Sequence, residues 1–279
     1  MARQNKKKVT REIWQNNSTK ASEDQVACET PIAFVYNGIS HFVMMATPSD
    51  IEDFVYGISF TEGIIERKSE IYDIQVQHVE TGVEVNIDIS SRAFSQLKGS
   101  RRLLAGVSGC GICGKESLEQ FRLSSSRVES QVKIKNIAIQ TAIQSISEYQ
   151  ELNNMTGAVH GAAWCDLEGN ILSIREDVGR HNALDKLIGH IIKQKVEKLG
   201  FITVTSRASF EMVNKVAISK VPLLVAVSAP TSMAVDTAKM CGVSLIGFAR
   251  TNRHVIYLSL INISRCRRYA VCRSRWSPY

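Results

Sequence analysis

No stretch of the 279 residues supplies the roughly 18 uninterrupted apolar residues that a membrane-crossing helix needs. The opening MARQNKKKVTREIW is basic but has no apolar run behind it, so it does not read as a secretion signal. No GxxxxGK[ST] loop is present, which removes the P-loop as a phosphate cradle. GxSxG is missing as well, leaving Ser206 or Ser209 with His181 as a weak hydrolase pairing without a compelling acid partner. The chain has no second CxxC, and its seven cysteines, at positions 28, 110, 113, 165, 241, 266 and 272, do not form the dense framework of a small secreted protein. Their odd number leaves at least one thiol unpaired. These absences together lead us to expect a soluble, cytoplasmic protein, not bound to a membrane and kept in a reducing compartment.

What is present is enough apolar material, 44% of the residues, for two cores. Thirty-four basic residues against 27 acidic ones give a formal charge of +7. Much of the excess sits at the two ends, in Lys6, Lys7 and Lys8 and in Arg265, Arg267, Arg268, Arg273 and Arg275. Such a balance suits an anionic partner, and it is equally a solubility device. Charge is the sole support for nucleic acid, so nucleic acid is set aside as a partner. The stretch from Val9 to Asp24 lacks a sustained period and is not assigned to a core, and 263–279 reads as an atypical basic tail.

Between these ends the hydrophobic pattern divides. PIAFVYNGISHFVMMATP gives two strand-like runs around Asn37-Gly38, a hairpin signal. Ile51, Phe54, Val55 and Ile58 then recur at helical spacing, with Ser49 or Asp50 as a candidate cap. Two alternating runs around Thr81-Gly82 follow, making 25–125 an α+β unit that ends in the stretch GVSGCGICGK. VKIKNIAIQTAIQSISEYQ reads as an amphipathic helix with Ile134, Ile137, Ala138, Ile143 and Ile146 on its apolar side. From there to position 262, short apolar strands alternate with helices, the pattern of a parallel or mixed sheet covered on both faces. The expected fold class is α/β, an α+β N-terminal unit followed by a three-layer α/β domain.

Two groups of residues carry chemistry. Cys110 and Cys113 lie among glycines, which suit a mobile or exposed loop and suit a core cysteine poorly. Such a pair can bind metal, exchange disulfides or carry sulfur. A structural zinc site would need two further ligands, from Cys28, Cys165, Cys241 or a histidine. A thioredoxin-like site would need a strand-to-helix setting that these glycines fit badly. A sulfur carrier would accept a sulfur atom as a persulfide on one exposed thiolate, and the second cysteine could release it. Spacing alone leaves these three open. In the second half, EDVGRHNALDK brings Glu176, Asp177, Arg180, His181, Asn182 and Asp185 to the start of a helix, where Asp177 could cap and Arg180 could meet phosphate. Thr205, Ser206, Arg207 and Ser209 follow one strand, and Ser228 to Ser232 follow the next, at the strand ends where α/β sheets bind ligands. Phe248, Arg250 and Arg253 in GFARTNRHV could stack on a base and hold phosphate.

The chain resembles the FdhD family of formate dehydrogenase accessory sulfurtransferases. ETPIAFVYNG, MMATPSDIEDFVYGISFTEGII, GCGICG, TGAVHGAAW, EDVGRHNALDK, SRASFEMV, VAVSAPTSMAV and GFARTNR occur in the family's order, from about Glu29 to Tyr257. That resemblance implies sulfur transfer from a cysteine desulfurase to the molybdenum bis(guanine dinucleotide) cofactor, a bound substrate, for use by formate dehydrogenase. It places the persulfide on Cys110, with Cys113 assisting. It places guanine dinucleotide binding on Phe248, Ala249, Arg250, Thr251, Asn252 and Arg253, to which Arg180, His181, Arg207 and Ser228 are added from the strand-end reading. It also implies a cytidine deaminase-like fold for 126–262, but the deaminase zinc signature is missing, so the fold lends no deaminase activity, and no metal held by protein ligands is expected. A homodimer would offer two equivalent pockets for the two dinucleotide arms. The alternative is a zinc-stabilised or nonenzymatic cofactor-binding chaperone.

Overall fold

The computed structural model describes residues 4–100, 127–130, 132–194 and 199–264. GCGICG, with Cys110 and Cys113, and the tail beyond 264 lie outside the described residues. Strands β1 (Lys6–Gln15) and β2 (Ser18–Ala27) form an antiparallel ribbon that turns at Asn16-Asn17, both at positive φ. Asparagine tolerates that conformation better than most residues do, which suits a two-residue hairpin turn. No core cluster includes a residue of this ribbon.

The first core lies under a four-stranded sheet. β3 (Thr30–Tyr36) and β4 (Ile39–Ala46) pair across Asn37-Gly38, again both at positive φ. After α1 (Ile51–Thr61) and a short 3-10 turn, β5 (Ile71–Val79) and β6 (Gly82–Ile89) make a second hairpin, and α2 (Ser91–Ser100) follows. The strand order is β4-β3-β6-β5, with β3 and β6 parallel. Phe34 and Tyr36 of β3, Val85 and Ile87 of β6, and Phe54, Val55 and Ile58 of α1 bury together, as the helical spacing predicts. Asp50 occupies the cap position of α1 in a left-handed conformation and makes no side-chain cap bond, and its carboxylate lies 3.5 Å from Arg175 instead.

The second core has three layers. In chain order come β7 (Lys133–Lys135), α3 (Asn136–Tyr149), α4 (Glu151–Thr156), β8 (His160–Asp166), β9 (Ile171–Asp177) and α5 (Arg180–Gln194). β10 (Gly200–Val204), α6 (Phe210–Ile218), β11 (Leu223–Ala226), α7 (Ser232–Cys241), β12 (Ser244–Arg250), β13 (Arg253–Leu258) and β14 (Asn262–Ser264) complete it. The main sheet runs β13-β12-β11-β10-β8-β9; β10, β11 and β12 are parallel, and antiparallel strands flank them. Alternation divides its side chains. Ala162, Trp164, Ile202, Val204, Leu224 and Leu245 face α5, α6 and α7, whereas Ala163, Cys165, Phe201, Leu223, Val225 and Ile246 face α3. The helix expected from Val132 onward begins later than its apolar pattern suggested. Ile134 belongs to β7, paired with β14, and Ile137 is 68% exposed, while Ala138, Ile139, Ala142, Ile143 and Ile146 form the buried stripe.

The two cores meet where α1 crosses α5. A Cβ on Gly57 would collide with the carbonyl of Asp185, and one on Gly189 with the carbonyl of Asp53, so the helices touch backbone to backbone. Ion pairs ring the crossing. Asp53 takes Arg175 at 2.7 Å and Lys193 at 2.6 Å, and Lys215 reaches Asp185 and Glu62, each at 3.0 Å. Burial works against the Asp53 charge, but hydrogen bonds from Lys193 and Arg175 bring its carboxyl below the ordinary range. We predict that Gly57→Ala lowers the unfolding free energy in urea by about 3 kcal/mol, the upper range for overpacking. Gly63→Ala, at positive φ with open space around it, should cost roughly 1–2 kcal/mol. Equal losses in the two variants would show that the crossing is looser than described.

Candidate functional site

Because β10, β11 and β12 are parallel, their C-terminal ends share one edge of the sheet, where β8 starts and β9 hands over to α5. Backbone hydrogen bonds tie the loops there into one rim: Ser228 N to Ser206 O at 3.4 Å, Phe248 N to Ser228 O at 3.1 Å, and Thr231 N to Ala208 O at 3.0 Å. On the other side Thr205 N bonds Gly161 O at 3.0 Å, next to His160. The strand-end groups that the sequence suggested separately, around Arg180, Arg207, Ser228 and Phe248, thus line a common edge.

Phe248 has φ 48°, a costly region for an aromatic residue, at a register shift between Gly247 and Arg250. Its side chain is nevertheless 41% exposed. A bulky ring held in a strained backbone and left in solvent is suited to receive a flat ligand. Arg250 and Arg253 pair directly across the Thr251-Asn252 turn, and all four residues are exposed. Ala249 differs from them: its methyl is fully buried in the core beside α3, so any contact it offers a ligand is through the backbone.

Arg180 and His181 open α5, a helix of 15 residues whose first amides favour an anion. Arg180 Nε is enclosed and has no hydrogen-bond partner among the described residues. His181 Nε2 lies 2.9 Å from Glu211 and 3.4 Å from Ser209 Oγ. One ring nitrogen therefore meets both the carboxylate and the hydroxyl, whereas a serine hydrolase uses one nitrogen for each. Ser206 Oγ is committed to the carbonyl of Arg207 at 3.1 Å. The hydrolase pairing weakens on both counts.

The rest of EDVGRHNALDK is internal. Glu176 accepts from the amides of Leu152 and Asn153 at the start of α4, and burial raises its pKa despite those bonds. Asp177 accepts from Gly179 N at 2.7 Å and from Asn182 Nδ2 at 3.0 Å, and it pairs with Lys186 at 2.7 Å. It precedes the helix start and acts as a buried anchor rather than as the cap. Asp185 accepts from Thr61 at 2.7 Å and pairs with Lys215, whose ammonium the Asp185 and Glu62 carboxylates hold in the charged form against burial. Thr47, Thr61, Lys186 and Lys215 were missed at the sequence level. The available signal was a lysine on an apolar stripe: Lys215 stands with Met212 and Val216 on the buried side of α6.

Cys165 and Cys241 lie in the two faces of the second core, and burial pushes both thiols up, Cys165 to about 12. They are poorly placed to complete a zinc site with Cys110 and Cys113. Among the described residues no group of three or more His, Cys, Asp or Glu could hold a metal ion, and no helix is long and apolar enough to cross a membrane.

A model of the FdhD/NarQ family matches residues 27–263. The sulfur carrier protein FdhD of Cupriavidus necator is 48% identical over 245 residues, which span 88% of this chain and 85% of that protein. The protein of the same name from Acinetobacter baylyi is 47% identical over 236 residues, 84% of this chain and 86% of that one. A solved chain from Desulfotalea psychrophila, described as a formate dehydrogenase accessory protein, superposes with a TM-score of 0.70. It covers 91% of this chain and 97% of its own length at 22% identity, a likeness of fold.

His160 offers a test of the rim's electrostatics. Burial, then the Arg180 guanidinium, pushes its pKa below the ordinary histidine range. The unfolded chain therefore takes up the proton first. The stability associated with neutral His160 is complete above the unfolded pKa of about 6.5 and is lost as pH falls through the folded value. His190 and His254 are displaced in the same direction, so His160→Asn should flatten, without abolishing, the fall in the urea midpoint from about pH 7.5 to about pH 5. An unchanged slope would remove His160 from the acid response.

Proposed function

The chain belongs to the FdhD/NarQ family, and on that premise we propose that it is a sulfurtransferase. Cys110 takes sulfur as a persulfide from a cysteine desulfurase, and the recipient is the molybdenum bis(guanine dinucleotide) cofactor, held as a substrate and then used by formate dehydrogenase. The observation that carries the nucleotide half of this reading is the hydrogen-bonded rim joining Ser206, Ser228 and Phe248 at the sheet edge. Phe248 offers a face for the guanine base. Arg250, Arg253 and Arg207, with Arg180 at the start of α5, offer charge-assisted bonds to phosphate. Two equivalent rims in a cytoplasmic homodimer would accommodate the two dinucleotide arms.

The sulfur half rests on the cysteine pair and on the names of the relatives. The Cys110 thiolate attacks the terminal sulfur of the donor persulfide; the donor S–S bond breaks, a new one forms on Cys110, and the donor leaves as a thiolate. Attack by the Cys113 thiolate on Cys110 Sγ then expels the carried sulfur as hydrosulfide and leaves a disulfide, which a dithiol reductant returns to two thiols. The alternative is a zinc-stabilised or nonenzymatic chaperone for the same substrate; with Cys165 and Cys241 committed to the core, a zinc site would have to draw its further ligands from Cys28 or a histidine.

Two measurements test the proposal. After incubation with a cysteine desulfurase and cysteine, non-reducing mass spectrometry should find a persulfide at Cys110, lost in Cys110→Ser; a label undiminished in that variant rules out the assignment. Calorimetry with GDP should detect binding that Arg250→Ala weakens about tenfold, the scale of one charged hydrogen bond. Equal affinity for ADP would reduce the rim to a general phosphate attractor.

A further inference from the structure

We infer that Thr47, at the end of β4 in the first unit, is a positioning residue for the nucleotide rim: it fixes the start of α5 and, through it, Arg180 and His181. This rests on the nucleotide reading given above. All three polar atoms of Thr47 are committed across the boundary between the two cores. Its amide donates to Asp177 Oδ2 at 3.0 Å, its hydroxyl oxygen accepts from Val178 N at 3.2 Å, and its carbonyl accepts from Lys186 Nζ at 2.8 Å. Thr47, Asp177 and Lys186 are all fully buried.

The geometry constrains the backbone just before Arg180. Asp177 Oδ2 also pairs with Lys186, while Oδ1 takes Gly179 N and Asn182 Nδ2. Asn182 Nδ2 reaches Met45 O as well, at 2.9 Å, so β4 itself also holds the same turn. A valine at position 47 would fill the same volume and keep the backbone bonds. It would remove the hydroxyl that accepts from the part-buried Val178 amide, and an amide that loses its partner frees the turn to rearrange. Packing alone would be indifferent to that change. A residue from one unit therefore sets the orientation of the ligand-facing turn of the other, and nucleotide binding must in return tighten Thr47.

The variants are Thr47→Val and Thr47→Ser, with Arg250→Ala as the control on the rim, and the probe is GDP. Without ligand, Thr47→Val should speed hydrogen exchange of the Val178 and Gly179 amides at least about tenfold, and Thr47→Ser should restore wild-type protection. Unchanged exchange in Thr47→Val overturns the inference. In calorimetry Thr47→Val should bind GDP about fivefold more weakly and Thr47→Ser within about twofold of wild type; wild-type affinity in Thr47→Val also overturns it. If wild type binds no GDP, or Arg250→Ala binds as tightly as wild type, while Val178 exchange still responds to Thr47→Val, the nucleotide reading fails and the hold of Thr47 on α5 stands. Should Thr47→Val fail to fold, wild type alone decides: bound GDP must slow exchange at Thr47 and Val178, and slowing confined to residues 250–253 overturns the inference.

Discussion

The close crossing of α1 and α5 is the constraint on which the rest of the molecule depends. Backbone contact at Gly57 and Gly189 leaves little room for side chains between the helices. Adhesion there comes from polar groups that the two units exchange around the crossing, together with Phe60 of α1, which packs against both cores. Buried charges are costly unless paired and hydrogen-bonded. Lys186 and Lys215 meet that condition by drawing partners from both units: Asp177 and Asp185 from one, and Thr47, Thr61 and Glu62 from the other. Such an interface is specific in register, since a shift by a fraction of a turn would strand an ammonium away from its carboxylate.

That interface reaches the candidate site through a short path. Asp177 ends β9, and α5 begins three residues later with Arg180. The sheet edge is thus framed on one side by a turn that the first unit anchors and on the other by loops that hydrogen-bond one another. The charged residues divide accordingly. Arg180 and Arg207, with Arg250 and Arg253 at the turn, form no ion pair among the described residues, whereas Asp177 and Asp185 are occupied internally.

Much of this was legible in the sequence where a local rule applies. Asn37-Gly38 marked a hairpin because few residues adopt positive φ twice in succession, and the all-apolar LLVA of β11 marked a strand covered on both faces. The strand-end loops were readable because parallel order places successive C-terminal ends together. Legibility failed where the deciding partner is distant in the chain. Nothing near Asp177 announces Thr47, 130 residues away, and Ile137, counted on the apolar side in the sequence, faces solvent because at about 100° per residue it lies nearly opposite the stripe of Ala138, Ile139, Ala142, Ile143 and Ile146. The motif EDVGRHNALDK invited one interpretation for six polar residues, but Asp177, Asn182 and Asp185 are buried and Glu176, half-buried like Arg180 and His181, is committed to the amides of α4. Polarity in a sequence does not distinguish these uses, since both require hydrogen-bonding groups at fixed spacing.

The strained turn at Phe248 has a thermodynamic consequence of its own. An aromatic residue at φ 48° forgoes roughly 1–3 kcal/mol relative to relaxed backbone, and the bond from its amide to Ser228 O helps to keep it there. The ring is consequently presented before any ligand arrives. Under the proposed function, association would then need not order the loop, and less of the interaction energy would be consumed in conformational entropy.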